Sequence, residues 1–202
     1  MDPFDRLATS DDALGAIVSR AGKPPPFQRP PTFASLVLLI LEQQVSLSSA
    51  AAAYRRLESV GQVDPKTVAA IDDATLRAAG ITRQKTRYLR ELCSAVMEGR
   101  LPIGQLPDLP DPDVRDLLIA VPGIGPWTAD VFLLACLQRP DIWPVGDRAL
   151  QVGTAEALDL ADVPAPDRLW EIGERWRPHR SAAARIIWHG YLHTRGRLAE
   201  GP

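Results

Sequence analysis

Two stretches of the sequence carry residues whose types and spacing could do chemistry. The first is Val121-Pro122-Gly123-Ile124-Gly125-Pro126-Trp127-Thr128-Ala129. Two glycines one residue apart, followed by proline, predict a tight hairpin that opens into a helix, because glycine tolerates the turn and proline is preorganised for the first helical position. Such a hairpin binds anions without a cationic side chain. Glycine lets backbone N–H groups approach a phosphate closely, and the helix N-terminus adds partial positive charge. Gly-Ile-Gly alone could equally be a simple turn between core helices, but the run from Leu118 to Ala129 is far more specific and reads as a helix-hairpin-helix. Gly123, Gly125, Pro126 and Thr128 are its candidate phosphate-binding residues. The second stretch holds Asp147, twenty residues after Trp127 and directly before Arg148-Ala149-Leu150. Taken alone, Asp147 is a helix N-cap. Beside an anion-binding hairpin, a carboxylate at a helix junction can also face a bound nucleotide.

The elements that must position these residues are helices. Apolar residues recur at helical spacing along most of the chain, and no alternating β-branched run insists on a strand, so the fold class is all-α. Asp64-Pro65 opens a short helix, Asp72 caps the next up to Gly80, Thr82 opens a longer one ending at Gly99, and Asp111-Pro112 starts another. A helix over about 34–42 is interrupted by Gln43-Gln44-Val45-Ser46, after which Ser46 or Ser48 caps an alanine-rich helix. This junction is either an ordinary polar loop or a functional break. Lys23 to Pro31 is an extended proline-rich connector, and Leu106 to Pro112 a second loop.

Composition sets the bounds. At 202 residues the chain can bury a core without staples, and 46% apolar with 24% charged residues is ordinary for a globular protein. The longest apolar run, Leu36 to Leu41, is too short to span a bilayer, and the N-terminus lacks a basic and then apolar leader, so no membrane partner is expected and the cytoplasm is the expected location. Cys93 and Cys136 are expected to be buried thiols. A net charge of −2 argues at first against a generic nucleic-acid binder. That figure averages unlike parts: residues 101–167 hold three basic and eleven acidic side chains, whereas 81–100 hold five against two and 168–202 seven against three. A protein of this charge that relies on backbone amides should bind DNA with a shallow salt dependence.

The hairpin and the downstream Pro144-Val145-Gly146-Asp147 resemble the helix-hairpin-helix (HhH-GPD) DNA glycosylase superfamily. Within it the chain is most similar to the 3-methyladenine DNA glycosylase II family. The similarity spans about residues 30–195 and takes in Gln43-Gln44-Val45-Ser46, Gly80-Ile81-Thr82-Arg83-Gln84-Lys85, Trp176-Arg177-Pro178-His179-Arg180-Ser181 and Trp188. The resemblance implies two helical lobes around a DNA-binding cleft. One spans 35–145 and ends in the hairpin; the other combines 1–34 with 146–202. It also implies an enzyme that flips an alkylated purine from duplex DNA and hydrolyses its N-glycosidic bond to leave an abasic site in base excision repair. Asp147 is then the catalytic carboxylate, Trp127, Trp188 and Gln43 line the base pocket, and Gln44 is the wedge that fills the vacated stack. For both tryptophans core packing is the competing reading. The carbonyls of Ile119, Val121 and Ile124 correspond to those that hold Na+ or K+ in relatives. The protein is expected to act as a monomer on damaged double-stranded DNA, within the nucleoid of a bacterium.

Departures from the superfamily pattern narrow this. Where bifunctional members carry a Schiff-base lysine, this sequence has Trp127, and its three lysines, Lys23, Lys66 and Lys85, lie outside the hairpin. No cysteine follows Cys136, so no iron–sulfur cluster is expected, nor any other required cofactor. About thirty residues precede the helical core, too few for the N-terminal sheet domain of some alkylation glycosylases. A polar wedge where alkylation enzymes can carry an apolar one leaves deaminated and etheno bases as alternative lesions. A non-catalytic helix-hairpin-helix DNA-binding protein is the other alternative, and it leaves Asp147 without a purpose beside phosphates. Borohydride treatment during incubation with damaged duplex should trap no covalent protein–DNA adduct; a trapped adduct would contradict the monofunctional assignment.

Overall fold

Helix starts follow side-chain caps. In the computed structural model, which describes residues 2–198, Asp2 and Asp11 cap α1 (Pro3–Ser10) and α2 (Asp12–Ala21). Thr32 caps α3 (Phe33–Glu42), Ser46 α4 (Leu47–Val60), Asp64 α5 (Pro65–Ala70), Asp72 α6 (Asp73–Ala78) and Thr82 α7 (Arg83–Met97). Each of these side chains accepts a backbone N–H of the first turn, satisfying a donor that the helix itself leaves unpaired. Further along lie α8 (Asp111–Ile119), α9 (Pro126–Val131), α10 (Arg148–Ala157), α11 (Pro166–Gly173) and α12 (Arg180–Thr194). No strand occurs among the described residues, and no helix is long and apolar enough to cross a membrane.

Three local features differ from the sequence expectation. Asp111 is the first residue of α8 rather than its cap; Pro110 takes that position without a side-chain bond. Asp111 and Asp113 then lie in the first turn, where negative charge complements the helix dipole. The loop before α8 contains a 3₁₀ segment, Ile103–Asp108. Beyond α9 the backbone widens into a π turn, Phe132–Cys136, whose five side chains are all buried, so polarity carries no trace of the change in pitch.

The chain divides into two compact units, residues 1–28 with 138–202 and residues 29–137. The divisions fall six and eight residues before those the sequence suggests, at 34/35 and 145/146, and local bonds explain the shift. Arg29 donates its N–H to Ala135 O and pairs in a fork with Glu42, both N–O distances being 2.8 Å, which ties it to the helix that follows. Gln138 donates Nε2 to Phe27 O, which ties both to the other unit.

In the 29–137 unit, α3 is buried nearly all round: Leu36, Val37, Leu39 and Ile40 have no exposed surface. The apolar run noted in the sequence is therefore a core helix. Leu89 and Leu92 of α7 and Val114 and Leu118 of α8 complete the same core. In the other unit α12 is central and packs on α1, α2 and α10. It approaches α10 closely because Gly153 has no side chain; a Cβ there would stand 2.7 Å from Ile187 Cγ2.

The two helices flanking the hairpin are joined by an ion pair between Arg115 of α8 and Asp130 of α9. Asp130 is only 3% exposed, and burial pushes its carboxyl up to about 6, against the pull of the Arg115 guanidinium. A carboxyl that holds its proton more tightly in the folded than in the unfolded chain favours folding when protonated. Its contribution is therefore largest below about pH 4 and declines by up to about 3 kcal/mol as pH rises to about 6. Urea midpoints of the wild type across this range should carry that decline, and Asp130→Asn should remove it; identical pH dependence in the two proteins would contradict the assignment.

Candidate active site

Asp147 ends a loop that is fixed at both ends. At its start, Arg180 embraces Asp141 with Nε to Oδ1 and Nη2 to Oδ2, both at 2.9 Å, and donates Nη2 to the Asp141 carbonyl at 3.0 Å. Ser181 Oγ donates to Arg139 O at 2.6 Å and accepts the Ile142 N–H at 2.9 Å, while Ser181 N–H donates to Pro140 O at 3.0 Å. The first turn of α12 thus spends an otherwise unpaired donor on the loop. Midway, Trp143 is buried, donates Nε1 to Leu169 O and packs against Trp176 with ring centroids 5.1 Å apart. At the end, Gln151 Nε2 donates to Val145 O at 2.9 Å.

The half-buried Asp147 is the N-cap of α10, as predicted, and Leu150 N–H donates to its Oδ1 at 2.7 Å. Trp188 Nε1–H donates to the same oxygen at 2.9 Å. Two N–H dipoles therefore converge on one carboxylate oxygen and fix the plane of the group. The structural reading of Asp147 as a helix cap is therefore met. Trp188 is 6% exposed and meets Phe27 edge to face, centroids 6.2 Å apart. The sequence left a pocket wall or core packing open here; the ring is buried as core packing expects, and its N–H donates a bond that orients the carboxylate.

In the other unit the hairpin has the expected form. Gly123 adopts φ +97°, a conformation that favours glycine, and a Cβ at this position would fall 2.2 Å from Cγ of Tyr88. Ile124 N–H closes the turn on Val121 O at 3.0 Å. Gly125 caps α9, Pro126 is its first residue, and Trp127 follows, half-exposed. Among the described residues no acceptor meets the N–H groups of Gly123, Gly125 or Thr128. Two expectations change. Thr128 is 1% exposed and its Oγ1 accepts a bond from Gln43, so its hydroxyl is not an anion ligand and only its N–H can serve. Pro126 lacks an N–H and contributes backbone conformation alone.

Gln43 is also displaced from its expected role. Its Nε2 donates to Gly123 O at 2.9 Å and to Thr128 Oγ1 at 3.0 Å, so it fastens the α3–α4 junction to the hairpin instead of presenting its amide to a base. Lys85 secures the same junction by donating Nζ to Leu41 O at 2.7 Å, and burial lowers its pKa. Gln44 is exposed at φ +58° on this anchored turn, next to the exposed Val45. Sequence reasoning did not identify the clamp formed by Arg180, Ser181 and Asp141. The signal was an Arg-Ser pair at the head of a helix whose first turns are otherwise mostly alanine and isoleucine.

The model of the HhH-GPD superfamily of base excision DNA repair proteins matches residues 37–178. The chain belongs to the HhH-GPD superfamily. It is 31% identical to a DNA-3-methyladenine glycosidase of Bacillus halodurans, with TM-score 0.80 over 98% of this chain and 95% of that one. A 3-methyladenine DNA glycosylase of Schizosaccharomyces pombe, solved with abasic DNA, shares the fold at TM-score 0.86 and 23% identity, covering 93% and 95% of the two chains. The Bacillus subtilis protein YfjP is 33% identical over 124 residues, which are 61% of this chain and 43% of YfjP. The chain therefore spans under half the length of that relative.

Gln43 holds the hairpin through its bonds to Gly123 O and Thr128 Oγ1. Gln43→Ala leaves the buried Thr128 hydroxyl and the Gly123 carbonyl without their donor. It should cost about 1–3 kcal/mol of stability, measured as a shift in urea midpoint; an unchanged midpoint would show that the bonds carry no load.

Proposed function

We propose that the protein is a monofunctional DNA glycosylase that removes alkylated purines of the 3-methyladenine and 7-methylguanine type from duplex DNA. The observation that carries this reading is the Asp147 carboxylate, held on one oxygen by the α10 cap bond and the Trp188 indole, in a chain that shares family and fold with glycosylases. The names of the relatives point to 3-methyladenine, and 7-methylguanine is included as an alkylated purine of the same cationic kind.

The chemistry follows from the charge that develops. As the C1′–N bond of a flipped nucleotide breaks, its electron pair leaves with the base and the sugar becomes oxocarbenium-like. The Asp147 carboxylate stabilises that cation and orients the water whose oxygen adds to C1′, the O–H bond of that water breaking as its proton is released to solvent. An alkylated purine is already cationic and leaves readily, so the protein need supply little acid catalysis. Trp127 stacks on the electron-poor base, a cation–π contribution of about 0.5–2 kcal/mol. Gln44, exposed on its anchored turn, fills the gap in the duplex. The N–H groups of Gly123, Gly125 and Thr128 grip a phosphate.

The turn also fits a monovalent cation. Its donors would be the neutral carbonyls of Ile119, Val121 and Ile124, and among the described residues no backbone donor meets the first or the last. Na+ or K+ held there would add positive charge beside the phosphate.

Duplex DNA bearing 3-methyladenine or 7-methylguanine should lose free base on incubation with the protein. Asp147→Asn should slow single-turnover release by at least about 100-fold, and Trp188→Phe, which keeps the ring but removes the donor, by about 10-fold or more. Full activity in Asp147→Asn would overturn the mechanism, and duplex binding without any base release would favour a purely DNA-binding protein.

A further inference from the structure

We propose that Arg83 and Arg87 of α7 form a second DNA-backbone contact beside the hairpin, with Tyr88 as the platform that joins the two. The proposal rests on the reading of the protein as a DNA glycosylase. Its starting point is the close approach at Gly123: the space a Cβ would fill is taken by Cγ, Cβ and Cδ1 of Tyr88, at 2.2, 2.5 and 2.6 Å. The Tyr88 ring therefore lies against the anion-binding turn. Gln84 Nε2 donates to Tyr88 Oη at 2.6 Å, and the Arg87 guanidinium sits 5.6 Å from the ring centroid.

Helical spacing puts Arg83, Gln84, Arg87 and Tyr88 on one face of α7, while Thr86, Leu89, Leu92 and Cys93 are buried on the other. The cations of this helix are committed unequally. Lys85 is spent on Leu41 O, and Arg90 on the carbonyls of Val68, Ala69 and Ile71 and on Asp73. Arg83 and Arg87 are exposed, and neither forms an ion pair with a carboxylate among the described residues, including Glu91 one turn further on. Two guanidinium groups four residues apart, next to a turn with unpaired N–H groups, present donors that match phosphate oxygens in both geometry and charge. The face therefore suits a polyanionic backbone that continues past the hairpin. Its contacts carry no base information and act equally on damaged and undamaged duplex.

The test is a salt titration of duplex binding by fluorescence anisotropy, using undamaged DNA and DNA with a stable abasic analogue. Arg83→Gln and Arg87→Gln are each expected to reduce the slope of log K against log salt by about 1, the double variant by about 2, and to weaken both duplexes by the same factor. Arg20→Gln, an exposed cation of α2, should leave the slope unchanged. A double variant that binds with the wild-type slope would overturn the contact while leaving the glycosylase reading intact. A wild-type protein that fails to bind either duplex would overturn both. Urea midpoints equal to wild type would show that the variants fold.

Discussion

A single carboxylate oxygen carries two obligations. Oδ1 of Asp147 terminates α10 by accepting the Leu150 N–H, and it accepts the Trp188 indole N–H as well. A helix start needs an acceptor whether or not the protein has a function, and this cap places a carboxylate where the first-turn dipoles favour negative charge. The orientation of the Asp147 carboxylate therefore derives from secondary structure, and the indole adds a second bond that restrains its rotation. The buried Trp143 with its bond to Leu169 O, the Asp141–Arg180 pair and the Ser181 bonds all restrain the same loop.

The hairpin follows a different economy. The donors it leaves open are main-chain N–H groups, so side chains are free to shape it. Gly123 makes the turn and admits Tyr88, Gln43 pins the carbonyl side, and the Arg115–Asp130 pair ties the flanking helices. A buried ion pair of this kind adds little net stability, because desolvation offsets much of the attraction. Its value lies in specifying how the two helices meet.

Much of this was legible in the sequence where local chemistry decides. Asp64, Asp72, Thr82 and Asp147 cap the helices they were expected to cap, and Ser46 is the one of the two candidate serines that does so, because a short acceptor side chain before an apolar-periodic segment has few other uses. The Gly-Ile-Gly-Pro hairpin was legible for the same reason. What sequence could not give was the partner of each long polar side chain. Gln43 bonds residues 80 and 85 positions away, and Trp188 bonds one 41 positions away. Such pairings depend on how helices pack, and residue type alone cannot tell a pocket-lining amide from a structural one. The π turn after α9 was illegible because every residue in it is apolar and buried.

The loop from Arg139 to Asp147 is suspended between two points of one helix, Arg180-Ser181 at the head of α12 and Trp188 eight residues on. On an α-helix that separation is about 12 Å, a span set by a rod buried among its neighbours. The loop therefore behaves as a fixed-length strap. Insertions or deletions that a surface loop of similar size would absorb should be excluded here, since one added or lost residue would detach the carboxylate from the indole or Asp141 from its guanidinium. The segment should accept substitutions more readily than any change of length, because its length is what joins the two anchors.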